Sequence, residues 1–209
     1  MLAKLRPFVW EKGIAKSFVS TRDVHQLLDV PEYFRLTKQK IPGDMEEVAT
    51  VLAHDSLISK DVGGRWNIFN LGAALFASDV SQFEGITRKV VRVVRYSGIT
   101  RSDTAKEWAG NKGYAVGFDA LAEFVNEKLP KEETIRRSLR FQRPLYPKIA
   151  IRELIANALL HQDMTISGTG PLIEIFIEYS ILHSVPRSFL PRLQVHGPGR
   201  RLCRRRAGA

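Results

Sequence analysis

The sequence contains a single cysteine, Cys203, and only five histidines among 209 residues. One cysteine cannot form an internal disulfide, and no cysteine–histidine spacing typical of a zinc site is present. No apolar run approaches the ~18 residues that a membrane helix needs, and the charged start from Met1 to Pro7 is unlike a secretory signal. These absences predict a soluble, cytoplasmic, metal-poor protein with no membrane partner.

Positive charge is what the sequence has in quantity. Thirty-two Lys and Arg against 22 Asp and Glu give a net charge of +10, and 44% of the residues are hydrophobic, enough for a sizeable core. Residues 177–209 hold seven Arg, no Lys and one acid, which is +6 of that charge and leaves +4 for residues 1–176. Because the body of the chain is only mildly basic, charge alone gives weak support for nucleic acid binding.

The N-terminal part predicts a small module of helices followed by a hairpin. Thr21 is suited to cap a first short helix, and Asp44 with Glu47 three residues later predicts the start of a second. The Gly63-Gly64 pair between two apolar stretches predicts the turn of a β-hairpin. Two helices followed by a hairpin is the order of a winged helix, and a plain helical packing module is the alternative.

The middle of the chain predicts a mixed region. Residues 71–77 predict a buried helix, and residues 88–96, with a β-branched centre and basic ends, predict a strand. We interpret those basic ends as solvated, with a nucleic acid surface as the alternative. Residues 97–114 predict a loop, an amphipathic helix is expected from Phe118, and residues 134–141 are ambiguous between helix and strand.

The segment from Tyr146 to Asp163 predicts a helix with polar side chains in a row. Pro147 suits its first turn. Glu153, Asn157 and His161 follow one another at intervals of four, so they project from one side of the helix. A carboxylate, an amide and an imidazole in this arrangement can hold a hydrated Mg²⁺ ion and polarise a water molecule. An exposed polar face without such a role is the alternative.

Residues 152–163 and 168–176 resemble the RecG-related C-terminal ATP-binding domain, a divergent member of the GHKL ATPases. Residues 66–77, 89–96 and 113–118 are similar to the middle region of the same proteins, so the resemblance covers about residues 20–176. In bacteria and archaea this domain follows an AlbA-like, Schlafen-type DNA-binding domain, and the proteins are called ATP-binding transcriptional regulators.

This resemblance implies ATP and Mg²⁺ as the ligands of the family's site. It makes Glu153 the general base for the water that attacks the γ-phosphate, and Asn157 the Mg²⁺ ligand. His161 and Asp163 match the family pattern, and they join Asn157 as cofactor-binding candidates without an assigned role.

Two departures from the family change this expectation. The family strand near Phe176 leads into an Asn-Pro-Gly turn that floors the adenine pocket, and residues 177–186 contain no such turn, with no Gly-rich lid or further strand expected after them. The Schlafen-type domain is also missing at the front. The Arg-, Ser-, Pro- and Gly-rich tail indicates a shifted reading frame or a truncated gene, with a native basic arm that binds nucleic acid as the alternative. No G-x-x-x-x-G-K-[ST] phosphate loop is present, which excludes a helicase motor.

The sequence thus predicts an α+β fold with a winged-helix-like N-terminal module, a middle mixed sheet and a partial GHKL-type α/β sandwich. The expected regions are residues 1–80, 81–145, 146–180 and, for the basic tail, 181–209. We expect part of an ATP-binding transcriptional regulator whose ATPase chemistry is lost, so that this chain does not bind ATP or Mg²⁺. The alternatives are a nucleic-acid-binding module that contacts DNA through the winged helix and the Arg-rich tail, and an inactive gene product. A homo-oligomer remains open.

Overall fold

The computed structural model describes residues 9–136, 139–166, 168, 170–176 and 192–196, with the backbone alone for residues 132–143 and 192–196. The helices are α1 (Thr21–Leu27), α2 (Val30–Thr37), α3 (Met45–His54), α4 (Asn70–Phe76), α5 (Tyr114–Lys128) and α6 (Lys148–Leu160). The strands are β1 (Ile14–Val19), β2 (Ile58–Lys60), β3 (Trp66–Phe69), β4 (Arg92–Tyr96), β5 (Ala105–Ala109), β6 (Lys131–Arg136), β7 (Leu139–Pro144), β8 (Leu172–Phe176) and β9 (Arg192–His196). The fold is α+β, as predicted.

The chain divides into two compact units. The first is Met1–Val90 with Asn111–Gly117, and the second is Val91–Gly110 with Phe118–Ala209. Among the helices of the described residues, none combines the length and apolar character needed to cross a membrane.

The first unit contains a three-stranded antiparallel sheet with the strand order β1-β3-β2. Helices α1, α2 and α3 lie between β1 and β2 in the chain, and β2 and β3 form the predicted hairpin around Gly63 and Gly64. The predicted hairpin is thus present in this sheet, after the helices. The sequence predicted neither α2 nor the edge strand β1.

The helix starts of the first unit differ in detail from the prediction. Helix α1 begins at Thr21, but its cap is Ser20, whose hydroxyl accepts from the Asp23 N–H while the Asp23 carboxylate accepts from the Ser20 N–H. Helix α3 begins after Asp44 as expected, yet no side chain caps it. Pro31 occupies the first turn of α2, where proline is favoured.

The core of the first unit is built around aromatic side chains. The Tyr33 ring meets the rings of Phe34 and Phe76 edge-to-face at centroid distances of 5.0 and 5.3 Å. Helix α4, predicted from its apolar run, packs so closely at Gly72 that a β-carbon there would meet the Leu57 carbonyl oxygen. Packing at this helix depends on the absence of a side chain at Gly72.

The second unit contains a four-stranded sheet with the order β5-β4-β8-β9 and a separate β6–β7 hairpin. Strand β4 pairs antiparallel with β5 and parallel with β8, and β8 pairs antiparallel with β9. On one side of the sheet the Trp108 ring of β5 meets the Phe124 ring of α5 edge-to-face at 5.3 Å. Helix α6 lies against β9.

Several sequence expectations for this unit are corrected by the structure. The predicted loop over residues 97–114 contains the edge strand β5, and the ambiguous residues 134–141 fall in the β6–β7 hairpin. Strands β4 and β8, which lie on either side of residue 145 in the chain, share one sheet. Residues 192–196 of the tail form a further strand, β9, which was not expected from the sequence. This strand pairs antiparallel with β8.

Candidate functional site

Helix α6, which carries the predicted site residues, is held by one apolar face. Ile151, Ile155 and Ala158 are buried at helical spacing. Pro147 precedes the helix, and His161 ends it, with its N–H donating to the Asn157 carbonyl at 3.0 Å. The predicted helix is confirmed, and it stops before Asp163.

The four candidate residues do not all lie together. Glu153 and Asn157 are exposed one turn apart on α6, and His161 is exposed directly after the helix. Asp163 lies beyond the helix, where one carboxylate oxygen accepts from the Thr165 N–H at 2.9 Å and from its hydroxyl at 2.6 Å. The structure therefore aligns Glu153 and Asn157, while Asp163 stabilises the following turn.

Contacts beside the Glu153–Asn157 face hold helix α6 in place, and the two side chains stay exposed. Next to Glu153, the Arg152 guanidinium donates to Asp119 of α5 at 2.6 Å and stands 4.8 Å from the Phe118 ring centre. Ile149 and Leu160, at the two ends of the face, are 70% and 77% exposed. Within the described residues, no cluster of three or more His, Cys, Asp or Glu side chains could hold a metal ion.

A second polar centre, which the sequence analysis missed, lies in the sheet of the same unit. Glu174 of β8 is fully buried, and its two carboxylate oxygens accept from Arg101 Nε at 2.8 Å and Nη2 at 2.6 Å. The Tyr96 hydroxyl donates to the same carboxylate at 3.1 Å, and the Tyr96 ring stacks on Phe176 at 4.7 Å. The only sequence signal is a lone acid in an apolar strand.

This centre is an ion pair in which the Glu174 carboxylate is buried and the Arg101 side chain is partly exposed. Burial, and then the hydrogen bond to Glu174, raise the pKa of Tyr96. The hydrogen bonds and charge of Glu174 raise the pKa of Arg101. Because the carboxylate is engaged by a bidentate guanidinium and a hydroxyl, it is a structural anion that holds the β4–β5 connection to β8.

The elements considered for nucleic acid binding give little support to that interpretation. Helix α3, which precedes the β2–β3 hairpin, carries Glu46 and Glu47 and no Lys or Arg. In the basic segment around β4, Lys89 is buried and Arg92 pairs with Glu107 at 3.3 Å. Helix α3 therefore offers no cation to a phosphate, and two of the four basic side chains of the β4 segment are buried or paired.

No protein-family model matches the chain, and no curated protein matches it. Among solved structures, the chain is similar to the crystal structure of the DIP2311 protein from Corynebacterium diphtheriae, with a TM-score of 0.50 and 12% sequence identity over 81% of this chain. The chain spans 31% of the length of that protein. At this identity the similarity bears on the fold alone.

Proposed function

We propose that this chain is part of an ATP-binding transcriptional regulator of the GHKL class whose ATPase chemistry has been lost. The observation that carries the proposal is the exposed Glu153 and Asn157 pair, one turn apart on a helix that leads into the central strand β8. In the family that the sequence resembles, this pair supplies the general base and the Mg²⁺ ligand. His161 follows directly after the helix and is also exposed.

The donor set suits a magnesium–phosphate group. Mg²⁺ prefers hard oxygen ligands and keeps several of its waters, so one amide oxygen and one nearby carboxylate are an adequate protein contribution. The Asn157 side chain would hold the ion, and Glu153 would accept a proton from a water beside it. Bound Mg²⁺ would supply charge neutralisation for the phosphates.

An active ATPase of this class also needs contacts to the adenine base, and we expect this chain to lack some of them. Strand β9 pairs with β8 and is followed in the sequence by Gly197-Pro198-Gly199, whereas the family strand near Phe176 leads directly into Asn-Pro-Gly. Without that asparagine, an amide side chain is missing from the adenine side. Fewer contacts to the base weaken binding, and each ~1.4 kcal/mol is a factor of ten in affinity.

Titration with Mg-ATP, followed by calorimetry and by the amide NMR signals of α6, tests the proposal. We expect no binding tighter than about a millimolar, and no hydrolysis above background. At millimolar nucleotide the signals of Glu153 and Asn157 should shift in the native chain and not in Asn157→Ala. Asn111→Ala, which changes an exposed asparagine of the first unit, is the matched control and should behave as the native chain.

Two results would contradict the proposal. Micromolar binding that disappears in Asn157→Ala would show that the pocket is complete and that its chemistry is retained. No shift of the α6 signals at any concentration reached would remove the nucleotide from the function of this helix.

A further inference from the structure

Phe18, near the end of the edge strand β1, has an unusual backbone and an exposed ring. Its φ angle is 58°, in the left-handed region that aromatic residues rarely adopt. The residue is 60% exposed, so burial of the ring does not account for the conformation. Strained backbone of this kind persists only where neighbouring groups impose it, and it clusters at functional sites.

Two side chains hold Phe18 in place. Its N–H donates to the Asn67 side-chain oxygen at 3.1 Å, and its carbonyl accepts from Arg65 Nη1 at 3.3 Å. The pairing of β1 with β3 also shifts register on both sides of Lys16, so the strand is irregular where it presents the ring. The hydrogen bonds fix the backbone and leave the ring facing solvent.

The charges around Phe18 are mainly positive. Arg65 contacts its carbonyl directly. Arg22 and Lys16 lie close enough to Asp23 to contribute to the lowering of its pKa, after the larger effects of the hydrogen bonds from the Ser20 side chain and backbone. Asp23, the nearby acid, is occupied in the capping box with Ser20. The Lys16 ammonium donates to the Gln82 carbonyl at 3.2 Å, which leaves the exposed Arg22 and Arg65 as the cations of this surface.

A further acid near this surface is also engaged. Glu46, which hydrogen-bonds Thr21, forms an ion pair with Lys60 at 2.5 Å. The local surplus of positive charge therefore fits a polyanionic partner.

We propose that Phe18, with Arg22 and Arg65, forms a binding site for single-stranded nucleic acid. A base stacks on the exposed Phe18 ring, and the flanking phosphates meet the two arginines, which is the combination that single-strand binding uses. A regular duplex keeps its bases stacked inside and offers no free face to the ring. The site lies in the first unit and does not depend on the α6 face or on the Arg-rich tail.

Fluorescence anisotropy with a labelled single strand of about ten nucleotides, across a salt series, tests the site in the full chain. Phe18→Asn removes the ring and keeps a residue that tolerates the left-handed backbone, so the fold is retained. We expect it to weaken single-strand binding about tenfold or more. Ile14→Ala, an equally exposed apolar residue on the same strand at 57%, is the matched control and should leave affinity unchanged.

Arg65→Gln should remove about one phosphate contact. The slope of log affinity against log salt concentration should then change by about 0.7 for a single strand. The Arg-rich tail is identical in all variants, so its non-specific contribution cancels in the comparison. The proposal is overturned if Phe18→Asn binds as tightly as the native chain, if Ile14→Ala loses as much, or if no single strand is bound at low salt. Duplex of the same sequence bound equally well, with the same loss in Phe18→Asn, would also overturn it.

Discussion

The buried ion pair between Glu174 and Arg101 permits a stability prediction with a defined magnitude. The Glu174 side chain is fully buried, and that of Arg101 is 64% exposed. Arg101→Met leaves the carboxylate without its cation inside the sheet, and breaking such a pair from one side costs about 3–5 kcal/mol. Because Arg101 is largely solvated and Tyr96 still donates to the carboxylate, we expect the lower end, about 3 kcal/mol.

The reverse change should cost less. Glu174→Gln leaves Arg101 free to return to water and keeps an acceptor for Tyr96, so about 1–2 kcal/mol is expected. The double variant should resemble Glu174→Gln, which gives a coupling free energy equal to the cost of Arg101→Met, about 3 kcal/mol.

Urea unfolding followed by circular dichroism measures these differences, and hydrogen exchange of the β4 and β8 amides assigns them to this sheet. Arg92→Met is the matched control. Arg92 pairs with Glu107 at 3.3 Å with both side chains about half exposed, and its loss should cost less than about 1 kcal/mol. If Arg101→Met costs no more than Arg92→Met, the buried pair does not have the energetic role argued here.

Three further predictions concern the first unit, each measured by urea unfolding. The hydrogen bond from Tyr33, and then that from His54, lower the pKa of Asp55, so Tyr33→Phe should cost about 1–2 kcal/mol at neutral pH. That contribution is present above the usual Asp range, about 3.9, and is lost as the pH falls below it. Gly72→Ala should destabilise by about 1–3 kcal/mol by overpacking; an unchanged midpoint would contradict the close approach. Phe18→Asn should stay within about 1 kcal/mol of the native chain, since relief of strain offsets lost ring contacts.

The elements that could be predicted from the sequence are those specified by local patterns. Helix α6 follows from apolar residues at helical spacing, and the β2–β3 hairpin follows from Gly63-Gly64 between apolar stretches. Strands β1 and β5 could not be predicted in this way. Both are edge strands with mostly exposed residues, so alternation is weak, and β1 is further broken by the left-handed Phe18.

The same distinction applies to the polar sites. The spacing of Glu153 and Asn157 is readable because both lie on one helix, where four residues always make one turn. The Glu174–Arg101 pair joins residues 73 positions apart, and it depends on the parallel register of β4 and β8. The Phe18 site likewise depends on Arg65 and Asn67 from another strand. Single-sequence patterns carry no information about such pairings.

Strand β9 bears on whether the Arg-rich tail is native. It pairs with β8 so that Leu193 is opposite Ile175 and Val195 is opposite Ile173. A shifted reading frame has no reason to place apolar residues at every second position, matched to an apolar strand. The pairing therefore favours a native segment here over a shifted frame.

The nucleotide sequence downstream of the Ser180 codon provides the test. If β9 is native, no other frame there should encode Asn-Pro-Gly followed by apolar-patterned segments. An alternative frame that does encode them would make the β8–β9 pairing fortuitous. In that case the basic tail would be an artefact, and the restored frame would supply the asparagine missing from the adenine side.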